Sequence, residues 1–223
     1  MTSTSTSTIA EQVASYHRAL PGQLPPQVAE AFATEQADLA AAGHPPGAAE
    51  PGSALPDGDL LDAGGQPTTL AQHLGGKPAV LVFYRGGWCP YCSIALRTYQ
   101  AQLVPALAER GISLIAISPQ TPDGSLSTKE SKELTFTVLS DPGNQIAGQL
   151  GILTAPSDGI CAAQLELGLD LTQVNADGTT DLPMPAVVIA GADGLIRWID
   201  VHPDYTTMTE PGQVLRAVTE TIG

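Results

Sequence analysis

The sequence predicts an α/β protein, a central mixed β-sheet flanked by helices, with an N-terminal helical extension. Three observations predict it. The apolar, β-branched segment Val80-Leu81-Val82-Phe83 runs into Gly86-Gly87-Trp88-Cys89-Pro90-Tyr91-Cys92, and then into Leu96, Tyr99 and Leu103 at helical spacing. A second apolar strand, Ile112 to Ser118, follows the helix stop Glu109-Arg110-Gly111, so the region reads as a right-handed β-α-β unit with parallel strands. Late in the chain, Ala186-Val187-Val188-Ile189-Ala190 and Leu195-Ile196-Arg197-Trp198-Ile199-Asp200 flank the turn Gly191-Ala192-Asp193-Gly194, which predicts an antiparallel hairpin.

The remaining elements come in order along the chain. Thr2 to Thr8 alternates Ser and Thr with nothing to bury, so residues 1–8 read as a disordered tail. Ile9 to Leu20 and Gln27 to Ala42 read as helices, the second opened by Pro25-Pro26 and burying Val28, Phe32 and Leu39. Gly43 to Gly58 is dense in Pro and Gly and reads as a connector. Residues 9–53 are therefore expected to be a helical arm and linker, and residues 54–223 the main domain. The arm could pack on that domain or pair two copies as a homodimer.

Leu60-Leu61 and Thr68-Thr69-Leu70 predict a short hairpin, and Gly75-Gly76-Lys77-Pro78 turns the chain into the Val80 strand. Pro105 either kinks the helix after the cysteines or ends it near Val104. Ser125 to Glu133 predicts a short helix, Thr135 to Leu139 a third parallel strand, and Ser140-Asp141-Pro142-Gly143 the start of a helix through Leu150. Ala162 to Leu171 reads as helical, and Pro211 to Ile222 closes the chain as a helix with Val214, Leu215 and Val218 on one face.

Nine basic and 23 acidic residues among 223 give a formal net charge of −14, which disfavours nucleic acid and anionic membranes as partners. No apolar run has transmembrane length, and the N-terminus lacks the basic start and apolar core of a secretory signal, so the expected compartment is the cytoplasm. Three cysteines, one tight pair and one odd member, fit a reducing compartment where thiols do chemistry.

Cys89-Pro90-Tyr91-Cys92 sits where a strand passes into a helix. The free N–H groups and positive dipole end of the first helical turn favour a thiolate there. Pro90 suits the first helical position and leaves Cys89 as the N-cap, while Cys92, three residues on, lies on the same face. Cys89 is thus the attacking thiol and Cys92 the resolving one. A C-x-x-C pair is also half of a zinc site, but Cys161 is solitary and His17, His44, His73 and His202 are scattered without ligand spacing. No metal and no cofactor are expected.

The element order resembles the thioredoxin fold. More narrowly, Phe83-Tyr84-Arg85-Gly86-Gly87-Trp88-Cys89-Pro90-Tyr91-Cys92, Leu139-Ser140-Asp141-Pro142-Gly143-Asn144, Leu182-Pro183-Met184-Pro185-Ala186 and His202-Pro203-Asp204-Tyr205-Thr206 resemble the peroxiredoxin-like branch of the alkyl hydroperoxide reductase/thiol-specific antioxidant family. The resemblance covers roughly Ala54 to Gly223. It implies a hydroperoxide substrate, Cys89 oxidised to a sulfenate, resolution by Cys92 as an intramolecular disulfide, and an external dithiol reductant such as a thioredoxin- or glutaredoxin-like protein.

The same resemblance implies that Met184–Pro185 is a cis bond beside the dithiol that positions substrate; a surface-turn proline is the alternative. The family places a threonine three residues before the peroxidatic cysteine and a proline seven before. Here Gly86 and Val82 stand there, and Met184-Pro185 stands where an arginine precedes a late strand. Arg85 is the candidate substitute cation for the thiolate and the departing oxygen, against a surface ion pair. Trp88 either shields the dithiol or simply packs. Cys161 reads as a distal resolving thiol or a small buried side chain, His202 as a proton carrier or a solvated loop residue, and Tyr205 carries no assigned role. A thioredoxin-like disulfide reductase and a non-catalytic, redox-responsive binding protein stay open beside the peroxidase.

Overall fold

The computed structural model describes residues 7–20, 22 and 24–222. Nine strands occur among them: β1 (Asp59–Asp62), β2 (Pro67–Thr69), β3 (Ala79–Phe83), β4 (Ser113–Ser118), β5 (Thr137–Ser140), β6 (Leu153–Thr154), β7 (Leu182–Pro183), β8 (Ala186–Ala190) and β9 (Ile196–Val201). Seven form one mixed sheet in the order β2-β1-β5-β4-β3-β8-β9, with β6 and β7 paired separately. β3, β4 and β5 run parallel, from Ala79 opposite Ser113 and from Ile115 opposite Thr137, whereas β8 lies antiparallel to β3 and β1 antiparallel to β5. The predicted β-α-β unit, its third parallel strand and both hairpins are present.

The helices are α1 (Ile9–Ala19), α2 (Pro26–Ala42), α3 (Leu70–Leu74), α4 (Pro90–Gln102), α5 (Val104–Ala108), α6 (Pro122–Ser131), α7 (Gln145–Gln149), α8 (Asp158–Glu166), α9 (Leu171–Val174) and α10 (Pro211–Thr221). Among the described residues, no helix is long and apolar enough to cross a membrane. β3 is buried on both faces, which explains its unbroken apolar run. Val80 and Val82 face Leu96 and Tyr99 of α4, Val214 and Val218 of α10, and Ile9 and Val13 of α1. Leu81 and Phe83 face the other way, towards Leu70 of α3 and Ile146 and Ala147 of α7.

Several boundaries differ from the sequence expectation, each for a local reason. The expected tail falls on residues 1–6, which lie outside the described residues, and on Ser7 and Thr8. Thr8, however, caps α1: its hydroxyl accepts from the Glu11 N–H at 3.1 Å and its own N–H donates to the Glu11 carboxylate at 2.9 Å. Leu70 begins α3 instead of ending a strand, because Thr69 and Gln72 form a reciprocal capping box. Pro105 sits in the first turn of α5, where its missing N–H is tolerated, so the chain breaks after Gln102 and starts a new helix. Asp141 accepts from the N–H groups of Gln145 (2.9 Å) and Ile146 (3.0 Å), which delays α7 to Gln145. The stretch expected to be helical from Ala162 to Leu171 divides into α8 and α9.

The arm packs on the rest of the chain: α1 lies on α4 and α2 on α8. Glu210, at the N-cap of α10, accepts from the N–H groups of Ile9 (3.0 Å) and Ala10 (2.9 Å), pinning the start of α1 to the far end of the sequence. Both arm helices thus end up beside the start of α4, where the cysteines are.

Leu96 is fully buried between the sheet and α10. Leu96→Ala is expected to lower the unfolding free energy by about 2–5 kcal/mol in a urea titration of the reduced protein. Leu165→Ala, at a position 55% exposed, is expected to stay within about 0.5 kcal/mol.

Candidate active site

The dithiol is placed by the β3 to α4 junction. Tyr84 extends the parallel ladder by donating its N–H to Ile117 O at 3.1 Å, and Cys89 then occupies the N-cap of α4 in extended backbone, with Pro90 in the first helical turn. The intervening loop is fastened by Gln120. Its Oε1 accepts from the Gly87 N–H at 2.8 Å, and its Nε2 donates to Thr128 Oγ1 at 3.0 Å and to Tyr84 OH at 3.3 Å.

The two glycines have steric reasons. A Cβ on Gly87 would overlap Thr128 Oγ1, and a Cβ on Gly86 would overlap the Trp88 indole nitrogen. The space where a side chain on residue 86 would stand is therefore taken by the Trp88 ring.

Cys89 and Cys92 are both reduced and each about 1% exposed. Burial by itself pushes the Cys89 thiol up. The hydrogen bond from the Cys92 thiol, the charge of Arg85 and the backbone N–H groups of Cys92 and Tyr91 outweigh it and bring Cys89 down to about 7. Cys92 goes the other way: burial raises it, and so do its hydrogen bond to Cys89 and the Cys89 charge, so it holds its proton and donates. The two thiols that share a motif are thereby made chemically unequal.

Arg85 is 3% exposed and forms no ion pair with a carboxylate among the described residues; the pairs there are Arg197–Asp193 and His202–Asp200. Its guanidinium carbon stands 3.8 Å from the centroid of the Tyr205 ring and 5.5 Å from that of Trp88. A surface ion pair at the strand end is thus excluded.

Above Cys89 opens a cavity of about 740 Å³, reached by Arg85, Trp88 and Tyr91 and walled by Tyr16, Phe32, Leu169 and Tyr205. Its apolar wall comes largely from α1, α2 and the segment after α8. Tyr91 meets the arm directly: His17 Nε2 lies 2.9 Å from its hydroxyl, and the Tyr16 ring meets it edge-on at 5.7 Å between centroids.

The structure brings Cys89, Cys92, Arg85 and Trp88 together, and Pro185 packs beside Cys92. Met184 does not join them; it packs on the opposite face of the sheet, against the Leu81 and Phe83 layer. The Met184–Pro185 bond is trans, against the expected cis bond, as are all peptide bonds among the described residues. The physical reason is the pairing on either side: Met184 donates its N–H to Ile152 O at 2.7 Å beside the β6–β7 pair, and Pro185 O accepts from the His202 N–H at 2.8 Å. The chain passes extended from β7 into β8 with no reversal to make.

His202 is fixed by Asp200 (3.0 Å), Thr209 (3.2 Å) and Thr207 (2.8 Å) and packs behind Cys92 with Pro185. Cys161 is half-buried on α8, with burial raising its thiol. Among the described residues no group of three His, Cys, Asp or Glu side chains is placed to hold a metal. Sequence reasoning missed Tyr16, His17, Glu35, Gln36, Tyr91 and Tyr205 as parts of the site. They come from distant positions with no shared motif, and the traces were that Tyr91 falls inside the C-x-x-C and Tyr205 inside a segment that resembles the family.

A mixed sheet with a C-x-x-C dithiol capping the helix after a central strand defines a thioredoxin-like protein. The chain belongs to the AhpC/TSA family, whose profile matches residues 51–199. Bcp of Haemophilus influenzae, named as a peroxiredoxin, is 35% identical over 80 residues, covering 34% of this chain and 49% of that protein. The chloroplastic peroxiredoxin Q of Sedum lineare is 29% identical over 107 residues, covering 48% of this chain and 55% of that one. The alignments thus span about half the length of these relatives.

Among solved structures, reduced Prx3 of Vibrio vulnificus in complex with hydrogen peroxide superposes with a TM-score of 0.61 at 18% identity, over 76% of this chain and 99% of that one. A peroxiredoxin-like protein from Aquifex aeolicus gives 0.60 at 16% identity, over 78% and 88%. These likenesses establish the fold. α1 and α2 lie before the family match.

Alkylation of Cys89 by iodoacetamide, followed in a Cys161→Ser background, is expected to accelerate as pH rises through about 7, because the ionised thiol is the nucleophile. Cys92→Ala and Arg85→Gln each remove a group that favours the thiolate, so each should move that midpoint to higher pH. Gly86→Thr should displace the Trp88 ring, seen as changed tryptophan fluorescence and a loss of about 1–3 kcal/mol of unfolding free energy.

Proposed function

We propose that the protein is a thiol-dependent peroxidase that reduces hydroperoxides. The observation that carries this reading is a buried cysteine at a helix N-terminus whose thiolate is favoured by Cys92 and Arg85 at the floor of a cavity. Membership of the AhpC/TSA family supports it.

In the first step the Cys89 thiolate attacks the terminal peroxide oxygen; an S–O bond forms, the O–O bond breaks, and the departing alkoxide takes a proton to leave as alcohol. Arg85 is the cation placed to favour the charge that moves from sulfur to that oxygen. In the second step Cys92 gives up its proton and attacks the Cys89 sulfur; the S–S bond forms, the S–O bond breaks, and water leaves. Two cysteines three apart on one helical face can close this bond with little movement. An external dithiol then reduces the disulfide by thiol–disulfide exchange.

On this reading residues 54–223 are the catalytic unit and residues 9–53 the arm that walls its cavity. Trp88 and Pro185 line the dithiol as packing and positioning groups. The reductant is a thioredoxin- or glutaredoxin-like protein, and the net charge of −14 favours a donor with a basic contact patch and disfavours nucleic acid. Three cysteines, one tight pair and one odd member, support a cytoplasmic location. A homodimer belongs to the same proposal, with light scattering as its check.

The deciding experiment adds one equivalent of hydrogen peroxide or an organic hydroperoxide to the reduced protein and follows thiol loss by rapid mixing. The expected result is oxidation at least 10²-fold faster than free cysteine, abolished in Cys89→Ser, with a dimedone-trappable sulfenate in Cys92→Ser. Oxidation no faster than a free thiol, with rapid exchange on a protein disulfide, would replace the peroxidase by a disulfide reductase. Slow reaction in both assays would favour a redox-responsive binding protein.

A further inference from the structure

A buried guanidinium without a carboxylate needs something else to hold it, and in this chain that something is aromatic. Tyr205, in the loop between β9 and α10, is 4% exposed and presents its ring face to Arg85 at 3.8 Å. The other end of the same side chain is tied to the arm. Its hydroxyl donates to Glu35 Oε2 at 2.8 Å and accepts from Gln36 Nε2 at 3.4 Å, both neighbours on α2. The loop itself is fastened: the Thr206 N–H donates to Asp204 Oδ1 at 3.0 Å, and His202 Nδ1 lies 2.8 Å from Thr207 Oγ1.

We propose that Tyr205 is a positioning residue which, anchored to α2 through Glu35 and Gln36, holds the Arg85 guanidinium beside Cys89 and makes the N-terminal arm a working part of the site. The physics runs through the ring. A phenol that donates its proton to a carboxylate has a more electron-rich π face, and a cation over that face in a dry site is held more firmly. Glu35, Tyr205, Arg85 and Cys89 thus form a series in which a carboxylate on α2 acts on a thiolate on α4 without touching it. Glu35 and Gln36, which anchor Tyr205, lie on α2, before the residues that the family profile matches.

The inference rests on the reading of Cys89 as the attacking thiolate, and it is tested without peroxide. Iodoacetamide alkylation of Cys89 is measured against pH in a Cys161→Ser background for Tyr205→Leu and Tyr205→Phe, each alone and combined with Arg85→Gln. The other groups around Cys89 are Cys92 and Tyr91 of α4 and Tyr16 of α1, with His17 on the Tyr91 hydroxyl, and all are kept in every variant. Tyr205→Leu, which removes ring and tether, is expected to raise the midpoint by about 0.5–1 pH unit. Tyr205→Phe, which keeps the ring and loses only the tether, should raise it by less than half as much, and neither change should move it once Arg85 is Gln.

An unmoved midpoint in Tyr205→Phe overturns the proposal, as does an equal shift in the Arg85→Gln background. Should Tyr205→Leu fail to fold by circular dichroism, Tyr205→Phe decides alone. Wild-type protein that alkylates with the expected profile but ignores hydroperoxide would remove the peroxidase and leave this coupling standing.

Discussion

A thiolate buried beside a guanidinium is the interaction on which the rest of this structure depends. Taking a sulfur anion out of water is costly, and Cys89 is almost wholly covered, so its ionised form exists only because Cys92, two backbone N–H groups and Arg85 supply compensating charge and hydrogen bonds. Arg85 carries the matching problem, since it too is buried, and its partners are two aromatic faces in place of a carboxylate. A carboxylate in direct contact with Arg85 would have competed for the positive charge that the thiolate needs. Aromatic support holds the cation while leaving its charge available.

The packing around the pair serves that arrangement. Gly86 is bare because the Trp88 indole lies over it, and Gly87 is bare because Thr128 presses against it. Gln120 then fixes the loop with hydrogen bonds to Tyr84 and Gly87 of the junction and to Thr128 of α6. The Trp88 ring fills the space beside Gly86, and Arg85 is the cation whose charge favours the Cys89 thiolate. The arm meets Tyr91 through His17 and Tyr205 through Glu35 and Gln36, and α1 and α2 supply one wall of the cavity above Cys89.

Much of the scaffold was legible because it depends on short-range pattern. Val80 to Phe83, Ile112 to Ser118 and the Ala186 to Asp200 hairpin are β-branched runs closed by glycine-rich turns, and each became a strand close to its expected limits. α3, β6 and β7 were not legible. α3 is a five-residue helix that exists because Thr69 and Gln72 cap it, and β6 and β7 are two-residue strands that exist only because Leu153 meets Pro183, and Thr154 meets Leu182, from distant parts of the chain. The cis bond expected at Pro185 failed for the same kind of reason. The backbone on either side of that bond is held by Ile152 and His202, both distant from it in sequence.

By itself the sequence determined the chemistry of the dithiol: a strand, two glycines, a cysteine before a proline and a second cysteine three residues on are local facts, and helix capping arises from them directly. Only the tertiary structure decided what surrounds that dithiol. Tyr16, Gln36 and Tyr205 meet over Cys89 because α1 docks on α4, α2 docks on α8, and the β9 to α10 loop returns to the same place. Such meetings carry no periodicity and no spacing, because they are set by how amphipathic faces close on one sheet, and that closure is a property of the whole chain.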